Sequence, residues 1–239
     1  MKIYAHRGCS GTFPENTIAA FNAAARLPIH GVEFDVHMTK DGELVVIHDE
    51  SINRTSNGSG FIKDMTLKEL KNYDFGTWFS NNFKGEKVPT LREVLYVFKD
   101  THHHINIELK SDVFPYEGME QKVLEMLKQY RLEDRVVISS FNHEMIQNVK
   151  KLAPHIETAI LFMEVMVAPH EYAQKVGADA LHAFFPTALR KMGKEVIASG
   201  KQLRVFTVNE EIYADILHAA GVHAIFTDYP QKMYNYLNK

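Results

Sequence analysis

Short apolar runs alternate along almost the whole chain with stretches whose apolar residues recur at helical spacing. Residues 2–6 read as a strand, and ENTIAAFNAAARL behind Pro14 places Ile18, Phe21 and Ala25 on one helical face. GVEFDVH (31–37) and GELVVIHD (42–49) read as strands joined by the turn signal KDG, forming either a hairpin or a strand with an extension. From residue 50 to about 90 the rhythm breaks. NRTSNGSG is turn-rich, and TLKELKNYDFGTWFSNNFKGEKVP offers one short helix in a polar, aromatic-containing loop, so the segment reads as an insertion.

Regular alternation then resumes: a helix over 90–99, strand 105–110, helix 116–130, strand 136–141, a helix from 143, strand 157–162 and a helix from 169. Strand 180–185, a helix from 187, strand 203–208, a helix from 210, strand 223–228 and a terminal helix from 230 follow. With 31–49 taken as one unit, about eight βα repeats result, the number that closes a (β/α)₈ TIM barrel. The expectation is an α/β chain with a single barrel domain over 1–239 and a small insertion at about 50–90. A doubly wound sheet is the alternative.

Composition narrows the function classes. With 239 residues, 45% hydrophobic and 24% charged, the chain can bury a real core, and its composition suggests neither disorder nor a fibrous architecture. A net charge of -3 lacks the clustered basic excess of a nucleic-acid binder, so a small molecule is the expected partner. The single Cys9 cannot form an intrachain disulfide. No secretory leader pattern opens the chain, no apolar run reaches the roughly 18 residues of a membrane span, and no amphipathic cationic helix signals membrane docking. A cytoplasmic location without stable membrane insertion is expected; the sequence does not fix an oligomeric state.

Two strands stand out within this pattern. In VEFDVH, Glu33, Asp35 and His37 alternate with Val32, Phe34 and Val36, so the polar set shares one face. In INIELK the same alternation puts Asn106, Glu108 and Lys110 together. Strands between helices normally read as continuous apolar runs, so polar residues at every second position mark something inside the barrel. Carboxylates held that close repel one another and need a cation or a shared proton. A hard divalent ion is the simplest answer, with Glu33, Asp35 and Glu108 as its ligands.

His6 ends KIYAH and His48 ends ELVVIH, both at the carboxyl end of a predicted strand, where TIM-barrel active sites are built. Most of the 13 histidines, HHH at 102–104 among them, read as surface or loop residues. Gly8 and Gly11 lack the GxGxxG pattern of a dinucleotide loop, and Ser10, Ser139 and Cys9 lack a nucleophile context.

These separated motifs together resemble the glycerophosphodiester phosphodiesterase family from end to end. His6-Arg7 with Glu15-Asn16, the EFD of Glu33 and Asp35, the HD of His48, the stretch NRTSNGSGFIKDMTLKEL with VPTL, and the IELK of Glu108 and Lys110 occur in the family's order. Where the family often carries WTVN, this chain has FTVN, Phe206 to Asn209.

The resemblance implies a barrel that hydrolyses glycerophosphodiesters to glycerol 3-phosphate and an alcohol with one divalent metal ion, Ca²⁺ or Mg²⁺. On that footing His6 and His48 are the general acid–base pair and Arg7 and Lys110 bind the phosphate. Phe141 and Phe206, with Phe184, line the glycerol side, and Trp78 and Phe79 of the insertion are candidates for the alcohol pocket. The attacking oxygen, substrate hydroxyl or water, stays open, as do Glu15 and Asn16 between substrate contact and helix start. Lipid-tailed substrates of a lysophospholipase D type are the near alternative. A Schiff-base aldolase using Lys110 and a non-catalytic anion-binding barrel are the distant ones.

Overall fold

The computed structural model describes residues 1–238. The first half of the chain forms β1 (Lys2–His6), α1 (Ile18–Ala24), β2 (Gly31–Met38), β3 (Leu44–Val46), α2 (Leu67–Leu70), α3 (Leu91–Phe98), β4 (His104–Leu109) and α4 (Met119–Tyr130). The second half adds β5 (Val136–Ser140), α5 (His143–Leu152), β6 (Glu157–Phe162), α6 (Pro169–Val176), β7 (Ala180–Phe184), α7 (Phe185–Ala188) and α8 (Lys191–Ala198). It ends with β8 (Gln202–Phe206), α9 (Glu211–Ala219), β9 (Ala224–Thr227) and α10 (Pro230–Leu237). All strands except β3 are parallel and close into a ring, because β1 pairs with both β2 and β9. The fold is the (β/α)₈ barrel, not the doubly wound sheet.

The alternation in β2 and β4 explains how the ring is packed. Val32, Phe34, Val36, Ile105, Ile107 and Leu109 are completely buried in the main core. There Phe21 of α1 sets its ring edge-on to Phe34 (5.5 Å) and Phe98 of α3 (6.1 Å). Truncating a ring so placed costs about 3–5 kcal/mol. Thr90 starts α3 with a capping box closed by Glu93, which satisfies backbone donors that the first turn leaves unpaired. The opposite strand faces fill the barrel, with Tyr4, Ala224 and Phe226 packed together and Val137, Ala159 and Ala180 forming a second set.

Several boundaries differ from the pattern. The 31–49 unit is a hairpin, with β3 antiparallel to β2 and Val36 opposite Val46, outside the closed ring. The helix expected from 187 is two helices, α7 and α8. HHH is not a polar loop: His103 is buried with its ring on the Leu27 carbonyl (3.0 Å), and His104 opens β4. The segment after β3 carries its own apolar cluster of Ile47, Ile52, Ile62, Leu70, Phe75 and Val88, joined to β3 through Val45. It holds its shape by short-range devices, such as the Asp74 carboxylate accepting from the Gly76, Thr77 and Gly85 N–H groups.

Candidate active site

At the carboxyl ends of the strands lies a cavity of about 450 Å³. Its walls include His6, Arg7, Glu33, His48, Glu108 and Lys110, with Phe141, Phe184, Phe206 and Phe226 on the apolar side. The scattered sequence candidates therefore meet in one place.

Asp35 and Glu108 are register partners on β2 and β4, and Glu33 lies one inward-facing position earlier on β2. Their carboxylate oxygens lie within 4.8 Å of one another, and all three residues are buried. At an effective dielectric near 20, each like-charged pair at that spacing costs on the order of 3 kcal/mol. Burial, and then the charges of Asp35 and Glu108, push the Glu33 carboxyl well above its ordinary value. Burial raises Glu108 as well, against the pull of Lys110, whose Nζ donates to Glu108 Oε1 at 2.9 Å. For Asp35 burial is outweighed by the positive charges of His48, Arg7 and Lys110 and by the Asn16 hydrogen bond, so its carboxyl is held low.

Asn16 Nδ2 donates to Asp35 Oδ2 (2.9 Å), the Arg7 N–H donates to Glu33 Oε2 (3.0 Å), and Arg7 Nε lies 3.5 Å from Asp35 Oδ2. Asp35 Oδ1 is buried with no partner among the described residues. Three hard oxygen donors, one of them unspent in a buried site, fit a hard divalent cation. Asn16 thus has a place: it orients a carboxylate of the cluster.

Each candidate histidine carries a carboxylate on Nδ1. His6 Nδ1 lies 2.7 Å from Asp228 Oδ1, and its Nε2 lies 4.0 Å from Glu33. Asp228 is itself held by Asn209 Nδ2 (2.7 Å), by the Ser10 hydroxyl (2.9 Å) and through its own N–H to Asn209 Oδ1 (2.9 Å). Burial would raise Asp228, but the hydrogen bond and charge of His6, with those donors, bring it down to about 2. The sequence reading missed Asp228. The available signal was an acid directly after the apolar strand AIFT, with Asn209 already quoted in FTVN.

His48 does not end a barrel strand. β3 stops at Val46, and a further ladder bond from the Ile47 N–H to the Asp35 carbonyl (3.0 Å) carries the chain over the barrel mouth. There His48 Nδ1 meets Asp49 Oδ1 at 2.8 Å, and the His37 ring donates to the His48 carbonyl at 3.1 Å. Burial depresses His37 to about 4, so it stays neutral and serves as a support, with Tyr116 on its other nitrogen (3.0 Å).

Arg54, also unforeseen, ties the two halves of the mouth together. Its guanidinium donates to Asp49 (2.7 and 2.9 Å) and to both Glu15 oxygens (2.8 Å), while Glu15 also accepts from Arg7 (2.9 Å). Glu15 is therefore a clamp rather than a free ligand. Arg7 and Asn16 both hold φ near +55°, which side chains other than glycine seldom adopt, and the Asn16 N–H closes the loop on the Arg7 carbonyl (3.0 Å). Between them Gly8, at φ +79°, passes so close to α1 that a Cβ would stand 2.8 Å from the Ala20 backbone. The glycines of this loop serve backbone approach.

Phe141 and Phe206 both line the cavity, edge to face at 6.1 Å, with Lys110 Nζ 5.8 Å from the Phe141 ring centre. Trp78 and Phe79 are not among its walls. They pack on each other, and Trp78 Nε1 donates to the Phe75 carbonyl (2.9 Å), so they belong to the insertion's own packing.

Known proteins resemble this chain along nearly its whole length. The model of the glycerophosphoryl diester phosphodiesterase family matches residues 6–232. This chain belongs to that family. A glycerophosphodiester phosphodiesterase of Caldanaerobacter subterraneus is 43% identical over 99% of this chain and 98% of its own length. One from Bacillus altitudinis is 42% identical over 97% of this chain and 96% of its own. Among solved structures, an Oleispira antarctica phosphodiesterase bound to the product sn-glycerol-3-phosphate superposes with a TM-score of 0.92. It is 33% identical and covers 100% of this chain and 97% of its own.

Family membership sets the aldolase alternative aside, and the site says why. Burial alone would lower the Lys110 ammonium, but Glu108 and Asp35 outweigh it and hold the proton on, the reverse of what a Schiff-base lysine needs. Among the described residues, no helix is long and apolar enough to cross a membrane.

Proposed function

We propose that this member of the family hydrolyses water-soluble glycerophosphodiesters to glycerol 3-phosphate and an alcohol in the cytoplasm, with His6 and His48 exchanging the protons. The observation that carries this is the pairing of each imidazole with a carboxylate at Nδ1 beside the buried acidic cluster. A carboxylate there keeps the hydrogen on Nδ1 and leaves Nε2 to act on substrate, as base when neutral and as acid when protonated. One imidazole takes the proton of the attacking oxygen, the substrate's own 2-hydroxyl or a water, and the other donates to the departing alcohol.

Negative charge grows on the phosphoryl oxygens as the new bond forms, so positive groups must already be in place. Arg7 and Lys110 line the cavity and supply them; their own carboxylate partners hold both in position before substrate arrives. Glu33, Asp35 and Glu108 would hold one calcium or magnesium ion, which when bound supplies Lewis-acid polarisation of phosphoryl oxygens. Phe141 and Phe206 form the apolar wall beside the glycerol carbons.

One feature favours lipid-tailed diesters as a second reading. Beside the mouth, the loop after β6 exposes Met163, Val165 and Val167 at 49%, 63% and 95%. The deciding experiment assays glycerophosphocholine, glycerophosphoethanolamine and lysophospholipids after EDTA treatment and again with calcium or magnesium restored. Metal-dependent release of glycerol 3-phosphate is expected, with ³¹P NMR showing whether a cyclic phosphate precedes it. His6→Ala and His48→Ala should each lose on the order of 10²-fold or more in turnover. Absence of metal-dependent turnover on every substrate would overturn the proposal.

A further inference from the structure

Between the insertion and the barrel mouth lies a second, much smaller cavity, with about 10 Å³ open to the centre of a water molecule, room for one. Thr55 of the insertion and Asn16 of the loop before α1 both line it, with Val46, Ile47 and Phe75 among the apolar walls. Thr55 and Asn16 are 4% and 3% exposed.

Most polar groups around this cavity are already committed. Glu15 is spent on Arg7 and Arg54. The Thr17 hydroxyl donates to the Pro14 carbonyl (2.7 Å) and accepts from the Ala20 N–H (3.3 Å). His48 engages Asp49 through Nδ1. Thr55 Oγ1 and Asn16 Oδ1, by contrast, are buried with no partner among the described residues. Buried polar atoms in folded proteins are nearly always paired, and a cavity of this size bordered by two such residues is where an ordered water completes both.

We infer that one water molecule bridges Thr55 Oγ1 and Asn16 Oδ1, and that Thr55 thereby positions Asp35 for its cation. An amide oxygen only accepts, so the water donates to Asn16; a hydroxyl both donates and accepts, so the same water can take the hydrogen of Thr55. Asn16 passes the constraint on. With Oδ1 held by the water, Nδ2 stays turned to Asp35 Oδ2 (2.9 Å), which leaves Asp35 Oδ1 for the ion. Reversing the amide would set its oxygen against the carboxylate. The left-handed backbone of Asn16, at φ +55°, fits a residue fixed from several sides, since such a conformation persists where its surroundings over-determine it. The insertion thus tunes the cation site without touching it. The inference rests on Glu33, Asp35 and Glu108 as ligands of a divalent ion.

Wild type, T55V and T55S are compared by calorimetric titration of EDTA-treated protein with calcium, by melting curves of the same metal-free samples, and by high-resolution crystal structures. T55V keeps the shape and removes the hydroxyl, and should weaken calcium binding roughly 10-fold, the low end of what outer-shell partners contribute. T55S keeps the hydroxyl and should stay close to wild type. Turnover of T55V on glycerophosphocholine should return toward wild type as calcium approaches saturation. Crystals of wild type and T55S should show one water within hydrogen-bond distance of both residue 55 Oγ and Asn16 Oδ1, and T55V should lose that bridge. A hydroxyl with a merely structural role would lower the metal-free melting temperature and leave calcium affinity unchanged.

If T55V binds calcium as wild type does, or if the wild-type crystal shows no bridging water, the inference is overturned and the hydrolase reading stands. Should T55V fail to fold, T55A serves for the titration and the wild-type crystal still decides the bridge. Weakened calcium binding in T55V and a bridging water, without hydrolysis of any diester, support the inference and overturn the hydrolase reading. Wild type that binds neither calcium nor magnesium overturns the cation site and the inference with it.

Discussion

His6 and Asp228 stand 222 positions apart in the chain, yet Nδ1 of one lies 2.7 Å from Oδ1 of the other, across the seam where β9 pairs with β1. Closing the barrel and orienting the imidazole are therefore one event. Asp228→Ala should lower kcat on glycerophosphocholine by on the order of 10²-fold, since a mobile imidazole loses its alignment and its preferred tautomer. KM should change little, because Asp228 is not among the cavity walls. Steady-state kinetics at saturating calcium checks both.

The same carboxylate should show in the acid stability of the fold. Its folded value of about 2 lies below the unfolded value near 4, so its contribution is present above pH 4 and is lost as pH falls through about 2. At neutral pH the contribution is on the order of 2 kcal/mol. Urea denaturation of wild type and Asp228→Asn should therefore differ at pH 6, and the gap should close progressively on acidification below pH 4.

The barrel was legible because its signals are local. Helical spacing and short apolar runs recur in order, and the alternation of VEFDVH and INIELK marks which strand faces look inward. His6, Glu33, Asp35 and Glu108 followed from that alternation and from position at strand ends. The supports were not legible, because they come from contacts between distant segments. Nothing local to Arg54, in a turn-rich insertion, signals that it reaches both Glu15 and Asp49. Asp228 follows an apolar strand but meets His6 only when the ring closes. His48 lines the cavity but not from the end of a barrel strand, since a hairpin and a barrel strand share one hydrophobic pattern.

Arg54 bridges the two carboxylates that position Arg7 and His48. Its side chain is 45% exposed, so its ion pairs add little to stability, about 0–1 kcal/mol. Arg54→Ala should thus leave the melting temperature nearly unchanged while lowering kcat/KM on the order of tenfold. Arg54→Lys should recover only part of the loss, because one ammonium cannot replace a planar fork that contacts two carboxylates at once. Paired melting curves and kinetics on the three proteins separate the two effects.

The acidic cluster sets stability against function. Glu33 is raised by burial and by Asp35 and Glu108, so in metal-free protein the unfolded chain releases this proton first. The sign follows: between the unfolded value near 4.3 and the higher folded value, stability falls as pH rises. Glu33→Gln removes that slope. After EDTA treatment it should melt above wild type by a few degrees, on the scale of about 2–4 °C per kcal/mol for a chain of this size, and the margin should widen from pH 5 to pH 8. Calcium should raise the melting temperature of wild type, since a ligand bound only by the folded state stabilises it, and should move Glu33→Gln much less. Turnover by the variant should fall on the order of 10³-fold, the several kcal/mol that a missing cation withdraws from the developing phosphoryl charge. A melting series with and without calcium at pH 5, 6.5 and 8, alongside the turnover assay, tests the trade-off directly.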